Sequence, residues 1–396
     1  MLLDSTVSAN PEGRLKDILA KFEAVAANPL EYARDFKRDT GKRVIGLFPM
    51  HFPGELAHAA GALPIVLQAD DEPVTIGQGS VFNFYCGYNR SIVDQAMRGE
   101  FAFLDAILFG DHCVQLLGTA DIIRDHLPDT PILFNQLISI IDAEWAMEET
   151  QGTFRQLWRE LEDLTGEKIS DDQVRHSIGI FNRNRALIRQ IYDMRRAGRI
   201  ALTGSQMQHI VKSSMIMDKE THTALLEELV AKLEAAPPAN NAVRVYLSGH
   251  LCHAAKLPIL DLVEECGGVV VDDDLYTGYR YIAADVEETG SPVDALSRWY
   301  LEKNKKIPCP TRADKDLDWE DFLLAQVDKS GAQGLIVLMV KFCEPHMYFY
   351  PEIKEAFERR GIPHLMIETE HEEMPMEALK TRMETFLEIA KRRVAA

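Results

Sequence analysis

The 396-residue sequence lacks several features that would assign it to a familiar class. It has no apolar run of the roughly 18 residues that a membrane-spanning helix needs. Its first residues show no basic start followed by an apolar stretch, so no signal peptide is expected. Neither GxxxxGK[ST] nor GxGxxG follows its first apolar run, which argues against an ATP site in this chain. We therefore expect a cytoplasmic protein with no membrane contact.

Basic residues are in deficit, with 43 Lys and Arg against 62 Asp and Glu, and the formal net charge is −19. Binding to nucleic acid by a basic face is therefore not expected. Hydrophobic residues make up 46% of the chain and charged residues 27%, which is typical of a globular protein. The length allows two or three domains of ordinary size.

Cysteine is scarce, and no two cysteines form a CxxC pair. This absence argues against a zinc ribbon, a thioredoxin-type redox centre and the cysteine run of ferredoxins. A disulfide framework is not expected in a cytoplasmic chain of this size. Any metal site must therefore be assembled from distant parts of the chain. The six cysteines are Cys86, Cys113, Cys252, Cys266, Cys309 and Cys343.

Short apolar runs predict two groups of four β-strands, separated by helical patterns. The runs lack strict alternation, as expected for parallel strands that are covered on both faces. We predict an α/β fold with two Rossmann-like, doubly wound parallel-sheet domains and a helical segment between them. The runs begin at Lys42, Leu63, Leu104 and Pro131 in the first group and at Val243, Gly267, Gly334 and Pro363 in the second.

The predicted domain limits follow from this pattern. Residues 1–143 form the first α/β domain with an N-terminal helix, and residues 241–396 form the second with a C-terminal helix. Between them, residues 144–240 show apolar positions three and four apart, which predicts helices. Ser170 is a candidate cap for one of these helices. The stretch "APPANNA" from Ala236 predicts a linker before the second domain.

Three cysteines lie where a ligand would be bound. In open α/β sheets, ligands bind beyond the carboxyl ends of the strands. Cys113 and Cys343 each follow the third strand of a group, and Cys86 precedes a predicted helix, whose N-terminus would favour a thiolate. Three thiolates suit a soft metal or an iron–sulfur cluster with one iron position open. The alternative is that they are buried small hydrophobic residues.

Other candidates follow the first strand or a helix start. Glu55 opens the "PGEL" helix, where it either complements the helix dipole or serves as an acid, base or iron ligand. His51 and Arg90 are the candidate substrate-binding residues, although Arg90 is alternatively a solvated helix-start residue. Cys266 fits core packing, Cys252 has no evident group that stabilises a thiolate, and Cys309 lies near basic residues.

An ordered set of motifs resembles the 2-hydroxyacyl-CoA dehydratase and benzoyl-CoA reductase subunit family. The motifs are "GLFPMHFPGELAHAAGALPIVL", "YCGYNRS", "FGDHC" and "VKFCEP", and "IPCPTR" around Cys309 is similar to a recurrent family segment. The match spans about Lys42 to Pro345. Within the family, the chain is most similar to the smaller, substrate-handling C-type subunit of ATP-dependent benzoyl-CoA reductase.

The resemblance implies more than the residues alone. It implies a [4Fe–4S] cluster on Cys86, Cys113 and Cys343, with Glu55 as an active-site residue near the open iron. It implies a heterodimer with a paralogous partner, and a separate ATP-hydrolysing iron–sulfur activator that donates low-potential electrons. The expected reaction is reduction of an aromatic acyl-CoA thioester. The alternatives are dehydration of a 2-hydroxyacyl-CoA, or an electron-transfer or scaffold role with the substrate on the partner.

Overall fold

The computed structural model describes residues 11–233, 242–249, 252–372 and 374–394. Most of the predicted linker, the domain limit at 240/241 and His250 lie outside the described residues. Within the described ranges, no helix is long and apolar enough to cross a membrane.

Each half of the chain builds a four-stranded parallel sheet, as predicted. The first sheet has the order β2-β1-β3-β4 and the second has the equivalent order β6-β5-β7-β8. In both sheets the order reverses between the first and third strands, which makes β1/β3 and β5/β7 the switch points where ligands bind. The strands are Val44–Leu47, Leu63–Val66, Ala106–Gly110, Ile132–Asn135, Val243–Gly249, Gly268–Asp273, Gly334–Val340 and His364–Thr369, numbered β1 to β8.

The central strands are buried because helices cover both faces of each sheet. Every residue of β1, β3 and β7 is buried, and these strands are rich in β-branched and aromatic residues. β5 ends at Gly249, whose φ is +112°. A Cβ at this position would lie 2.1 Å from the carbonyl oxygen of Leu338, so only glycine fits the end of this strand.

Fourteen α-helices are found among the described residues, besides one short 3₁₀ helix and one π-helical turn. Ser170 is the N-cap of the helix Asp171–Arg196, and its hydroxyl accepts from the backbone N–H of Gln173 in a capping box, which confirms the predicted cap. The helices are Pro11–Ala27, Pro29–Thr40, Gly54–Ala59, Gly87–Met97, Val114–His126, Ala146–Thr165, Asp171–Arg196, Gly204–Ser214, Lys219–Leu233, Leu257–Glu265, Pro292–Lys306, Trp319–Ser330, Glu344–Arg359 and Met376–Val394, numbered α1 to α14.

The middle helices join the two sheets. α7 packs on α3 of the first half and on β6 of the second. The Tyr192 hydroxyl on α7 donates to a carboxylate oxygen of Asp273 at 2.6 Å, in the buried contact with β6. The N-terminal helix α1 packs on α8 and α9 of this middle segment. The segment therefore fixes the two sheets relative to each other.

Candidate functional site

The three predicted cysteine ligands lie together. Each directly precedes a helix: Cys86 precedes α4, Cys113 precedes α5 and Cys343 precedes α13. Cys113 and Cys343 also follow the third strand of their sheets, so their predicted structural equivalence is confirmed. All three side chains line one cavity of about 150 Å³, which is built from both halves of the chain.

Backbone strain is concentrated at the same cavity. Met50, just beyond β1, has φ 94°, and Phe342, directly before Cys343, has φ 65°. These are the positive-φ residues other than glycine within the described ranges, and both line the cysteine cavity. Such conformations cost on the order of 1–3 kcal/mol and persist where the surrounding structure enforces them. The cavity therefore has one strained residue from each half of the chain, and such strain is typical of a functional site.

Burial dominates the protonation of the thiols. It raises the pKa of Cys113 to about 12 and also raises the pKa values of Cys86 and Cys343, whereas backbone N–H groups at the helix starts lower them by less. The helix start therefore favours the Cys86 thiolate, as the sequence analysis expected, but desolvation outweighs this effect in the metal-free protein. A bound cation would displace these protons.

Two amide side chains organise the cysteines. Asn89 on α4 donates to Cys86 Sγ at 3.2 Å. Gln115 on α5 accepts from the backbone N–H of Cys86 at 2.8 Å and donates to the carbonyl oxygen of Phe342 at 3.0 Å. Gln115 thus ties together the segments that carry Cys86, Cys113 and Cys343. The sequence analysis missed both amides, although each lies two or three residues after a cysteine.

A fourth thiol, that of Cys252, lines the same cavity. Its Sγ lies 3.9 Å from Nε2 of His112, a residue that also lines the cavity. Burial lowers the pKa of His112 to about 3, so the imidazole is neutral at physiological pH. Cys309 is buried, and its Sγ lies 3.3 Å from Oγ1 of Thr311, a residue that lines the cavity. Cys266 packs against the second core at the end of α10.

Glu55 lies in a different, more enclosed cavity of about 30 Å³. Its carboxylate accepts from Arg185 of α7 at 2.8 Å, and both side chains are buried. Lys219 and Lys303 line the same cavity, and burial lowers the pKa of each to about 7. Lys303 also donates to the carbonyl oxygen of Met50 at 2.7 Å, which connects this cavity to the wall of the cysteine cavity.

The two predicted substrate-binding residues do not line the cysteine cavity. Arg90 is ion-paired with Glu372, at 2.6 Å, and donates to the carbonyl oxygen of Tyr85. His51 is buried against the rings of His112 and Tyr300, each with a centroid distance of 5.5 Å. Neither ring nitrogen of His51 has a hydrogen-bond partner among the described residues.

The side chains of Glu344 and His346, which follow Cys343, lie in different surroundings. Glu344 lines the cysteine cavity, whereas His346 is buried and packs on the Trp319 ring with a centroid distance of 4.9 Å. His346 therefore belongs to the core beneath α13, whereas Glu344 and Pro345 lie beside the cavity.

The arrangement of the side-chain donors limits which metal group this cavity could hold. Within the described ranges, no three His, Cys, Asp or Glu side chains converge on a point that would hold a single metal ion. The cysteines of an iron–sulfur cluster bind different irons, so their sulfurs surround the group instead of meeting at one atom. A sulfur-rich cavity without convergence on one point fits a cluster better than a mononuclear site.

The family is decided by comparison with known proteins. The model for 2-hydroxyglutaryl-CoA dehydratase, D-component, matches residues 49–390. The chain belongs to this family. The match covers strands β2 to β8, the middle helices and every residue described at the cysteine cavity.

Curated relatives agree with this assignment over nearly the whole chain. The beta subunit of lactoyl-CoA dehydratase from Anaerotignum propionicum is 29% identical, over 95% of this chain and 99% of the relative. The C-type subunit of benzoyl-CoA reductase from Thauera aromatica is 26% identical, over 95% and 98%. The beta subunit of (R)-2-hydroxyglutaryl-CoA dehydratase from Acidaminococcus fermentans is 25% identical, over 94% and 98%.

Proposed function

We propose that this chain is the beta-type subunit of a 2-hydroxyacyl-CoA dehydratase and holds a [4Fe–4S] cluster on Cys86, Cys113 and Cys343. The family match and the beta-subunit relatives support the enzyme class. The observation that carries the proposal is the meeting of these thiols, each at a helix start, in one cavity. When bound, the cluster would supply one-electron chemistry at low potential.

The protein's own residues have distinct tasks in this proposal. Asn89 donates to the Cys86 sulfur, and such hydrogen bonds adjust the reduction potential of a cluster. Gln115 holds the three segments that carry the cysteines in place relative to one another. The neutral ring of His112 and the buried, apolar side chain of Leu116 limit water at the cavity wall.

The acyl group is proposed to bind on the paralogous partner, with this chain relaying electrons. The cavity around Glu55 supports this division of roles because its volume of about 30 Å³ suits roughly one water molecule. Its polar groups are already engaged, since Arg185 pairs with Glu55 and Lys303 binds a backbone carbonyl. A proton-transfer role for Glu55 remains a prediction from the resemblance.

The surroundings of the cysteines support a partner. Large apolar side chains flank each cysteine and are exposed, and clusters of this kind mark protein interfaces. We propose that the paralogous partner covers them and that a separate ATP-hydrolysing activator supplies the electrons. The flanking residues are Phe82 and Phe84 before Cys86, Val114 and Leu117 after Cys113, and Met347 and Tyr348 after Cys343.

The second candidate is a role in benzoyl-CoA reductase. It is favoured by the similarity to the C-type subunit of that enzyme, which covers as much of the chain as the similarity to the dehydratases. In this case the electrons would reach an aromatic ring in place of a 2-hydroxyacyl thioester.

The test is anaerobic production of the full chain with and without its paralogous partner. We expect iron and sulfide in equal amounts, about four of each per chain, and loss of both in Cys113→Ala and Cys343→Ala. Cys266→Ala, which removes a thiol outside the cavity, is the matched control. Absence of iron from the reconstituted wild-type chain would contradict the proposal. Product analysis with 2-hydroxyacyl-CoA and with benzoyl-CoA separates the two candidates.

A further inference from the structure

The segment "IPCPTR" around Cys309 has no task in the proposed function. It follows α11 and turns sharply, because the backbone N–H of Arg312 donates to the carbonyl oxygen of Cys309 at 2.9 Å. The turn places Thr311 in the wall of the cysteine cavity. The next residue, Ala313, donates its backbone N–H to the carbonyl oxygen of Ser139 in the first half of the chain at 2.7 Å. The segment thus fixes Arg312 beside the cavity wall.

The Arg312 side chain is buried, with only 3% of its surface exposed. Its Nε donates to the Tyr300 hydroxyl, and its Nη1 donates to the carbonyl oxygen of Thr311 at 2.6 Å. Its Nη2 is buried and has no hydrogen-bond partner among the described residues. The Tyr300 ring packs on His51, and His51 packs on His112 at the cavity wall, each with a centroid distance of 5.5 Å. Neutral groups therefore hold the guanidinium in the layer of side chains behind the wall.

The charge of Arg312 has no counter-charge within the part of the chain that the structure describes. Of the buried arginines there, it is the one without a carboxylate oxygen within 4.0 Å of its nitrogens. The others are paired: Arg185 with Glu55 at 2.8 Å, Arg280 with Asp274 at 3.4 Å, and Arg195 with Glu264 at 4.0 Å. A guanidinium does not lose its proton at physiological pH, and a buried charge without a counter-charge is costly. The negative charge must therefore come from a group that the neighbouring cavity binds.

We propose that Arg312 is the counter-charge of the cluster and sets how easily the cluster accepts an electron. The inference deepens the proposed function and rests on it, because the negative charge comes from the thiolates of Cys86, Cys113 and Cys343. Three thiolates give the bound cluster a net negative charge, and reduction adds one more. A fixed positive charge in a low-dielectric wall favours the more negative, reduced form. No bond forms or breaks: the activator gives up the electron and is oxidised, and the guanidinium keeps its protons.

A second buried cation, Lys303, approaches the same wall. Its Nζ donates to the carbonyl oxygen of Met50, which lines the cysteine cavity, at 2.7 Å. Burial lowers the pKa of Lys303 to about 7, so its charge depends on pH. Arg312 therefore supplies the fixed part of the positive charge at this wall, and its effect is measured at one constant pH.

The test is a spectroscopic redox titration of the full chain, reconstituted anaerobically with iron and sulfide. Arg312→Gln removes the charge. At a given potential we expect the ratio of reduced to oxidised cluster to fall about tenfold, which is a shift of about 59 mV to lower potential. Arg312→Lys keeps the charge and should stay close to wild type. Arg195→Gln removes a buried arginine of α7 that lies beside Glu264, and as the matched control it should leave the ratio unchanged.

A titration of Arg312→Gln that coincides with that of wild type would overturn the inference. If Arg312→Gln does not fold, Arg312→Lys decides, because wild-type potential and iron content in this variant support the role of the charge. Equal loss of fold or equal shift of potential in both variants would refute that role, since the hydrogen bonds of the guanidinium would then matter and not its charge. A wild-type chain that takes up no iron would contradict the proposed function instead, so the two failures are distinguishable.

Discussion

Gln115 offers the sharpest test of how the site is held together. Gln115→Met keeps the side-chain volume and removes the amide contacts from the Cys86 N–H at 2.8 Å and to the Phe342 oxygen at 3.0 Å, together with a longer one to the Phe84 oxygen at 3.4 Å. Gln115 is only 7% exposed, so water has little access to replace it. An unsatisfied buried polar group costs about 1–3 kcal/mol. Because Cys86 is only partly buried, we expect the free energy of unfolding to fall by about 2–4 kcal/mol in total.

The loss is measured as the free energy of unfolding of the metal-free chain, from anaerobic urea denaturation followed by circular dichroism. Gln156→Met is the matched control, because Gln156 is an exposed glutamine on α6 whose amide bonds only Glu160. It should change stability by less than about 0.5 kcal/mol. If Gln115→Met is as stable as the control, Gln115 does not tie the cysteine segments together.

Three further predictions concern the site and its surroundings. Asn89→Ala removes the hydrogen bond to the Cys86 sulfur, which stabilises the reduced form of the proposed cluster. The reduction potential should therefore fall by roughly 20–60 mV. An unchanged reduction potential in a spectroscopic redox titration would contradict this. Lys303 has a pKa of about 7 when folded against 10.5 for the ordinary side chain. The unfolded chain therefore binds an extra proton between these values, and stability rises with pH. From pH 7.5 to 9.5 the free energy of unfolding of wild type should rise by about 2–3 kcal/mol relative to that of Lys303→Met. If the two free energies of unfolding change with pH in parallel, Lys303 is not a buried lysine that loses its charge on folding. Glu55→Gln leaves buried Arg185 without its closest counter-charge and should lower the free energy of unfolding by about 3–5 kcal/mol. If turnover of the assembled complex falls by more than the amount of folded protein does, the result would support the proton-transfer role predicted for Glu55.

The sequence was sufficient to predict the sheets because their strands are continuous apolar runs bounded by turns. All eight predicted runs contain a strand, and the strand order agrees with a doubly wound fold. The helix α8 falls within residues 144–240, for which helices were predicted as a group. The domain limits of the sequence analysis stay a prediction.

The sequence was sufficient to place a site residue only where the order of strands along the chain determines where that residue lies in the sheet. Cys113 and Cys343 follow equivalent strands, so the rule for strand ends was enough to place them. The contact between Gln115 and Phe342 joins residues 227 positions apart, and that between Arg185 and Glu55 joins residues 130 apart. No local pattern marks such pairs, because the partner of a buried amide or carboxylate is determined only by tertiary packing.

The thiols at the cavity come from both halves of the chain, and this gives the proposed cluster a mechanical consequence. A group bound through Cys86, Cys113 and Cys343 would cross-link two domains that the middle helices and contacts such as Gln115 to Phe342 already connect. Like a disulfide that closes a long loop, such a link stabilises the fold by restricting the unfolded chain. Damage by oxygen would then remove the redox group and loosen the domain junction in one event. The oxidised protein would become easier for proteases to cleave, which couples loss of activity to removal of the chain.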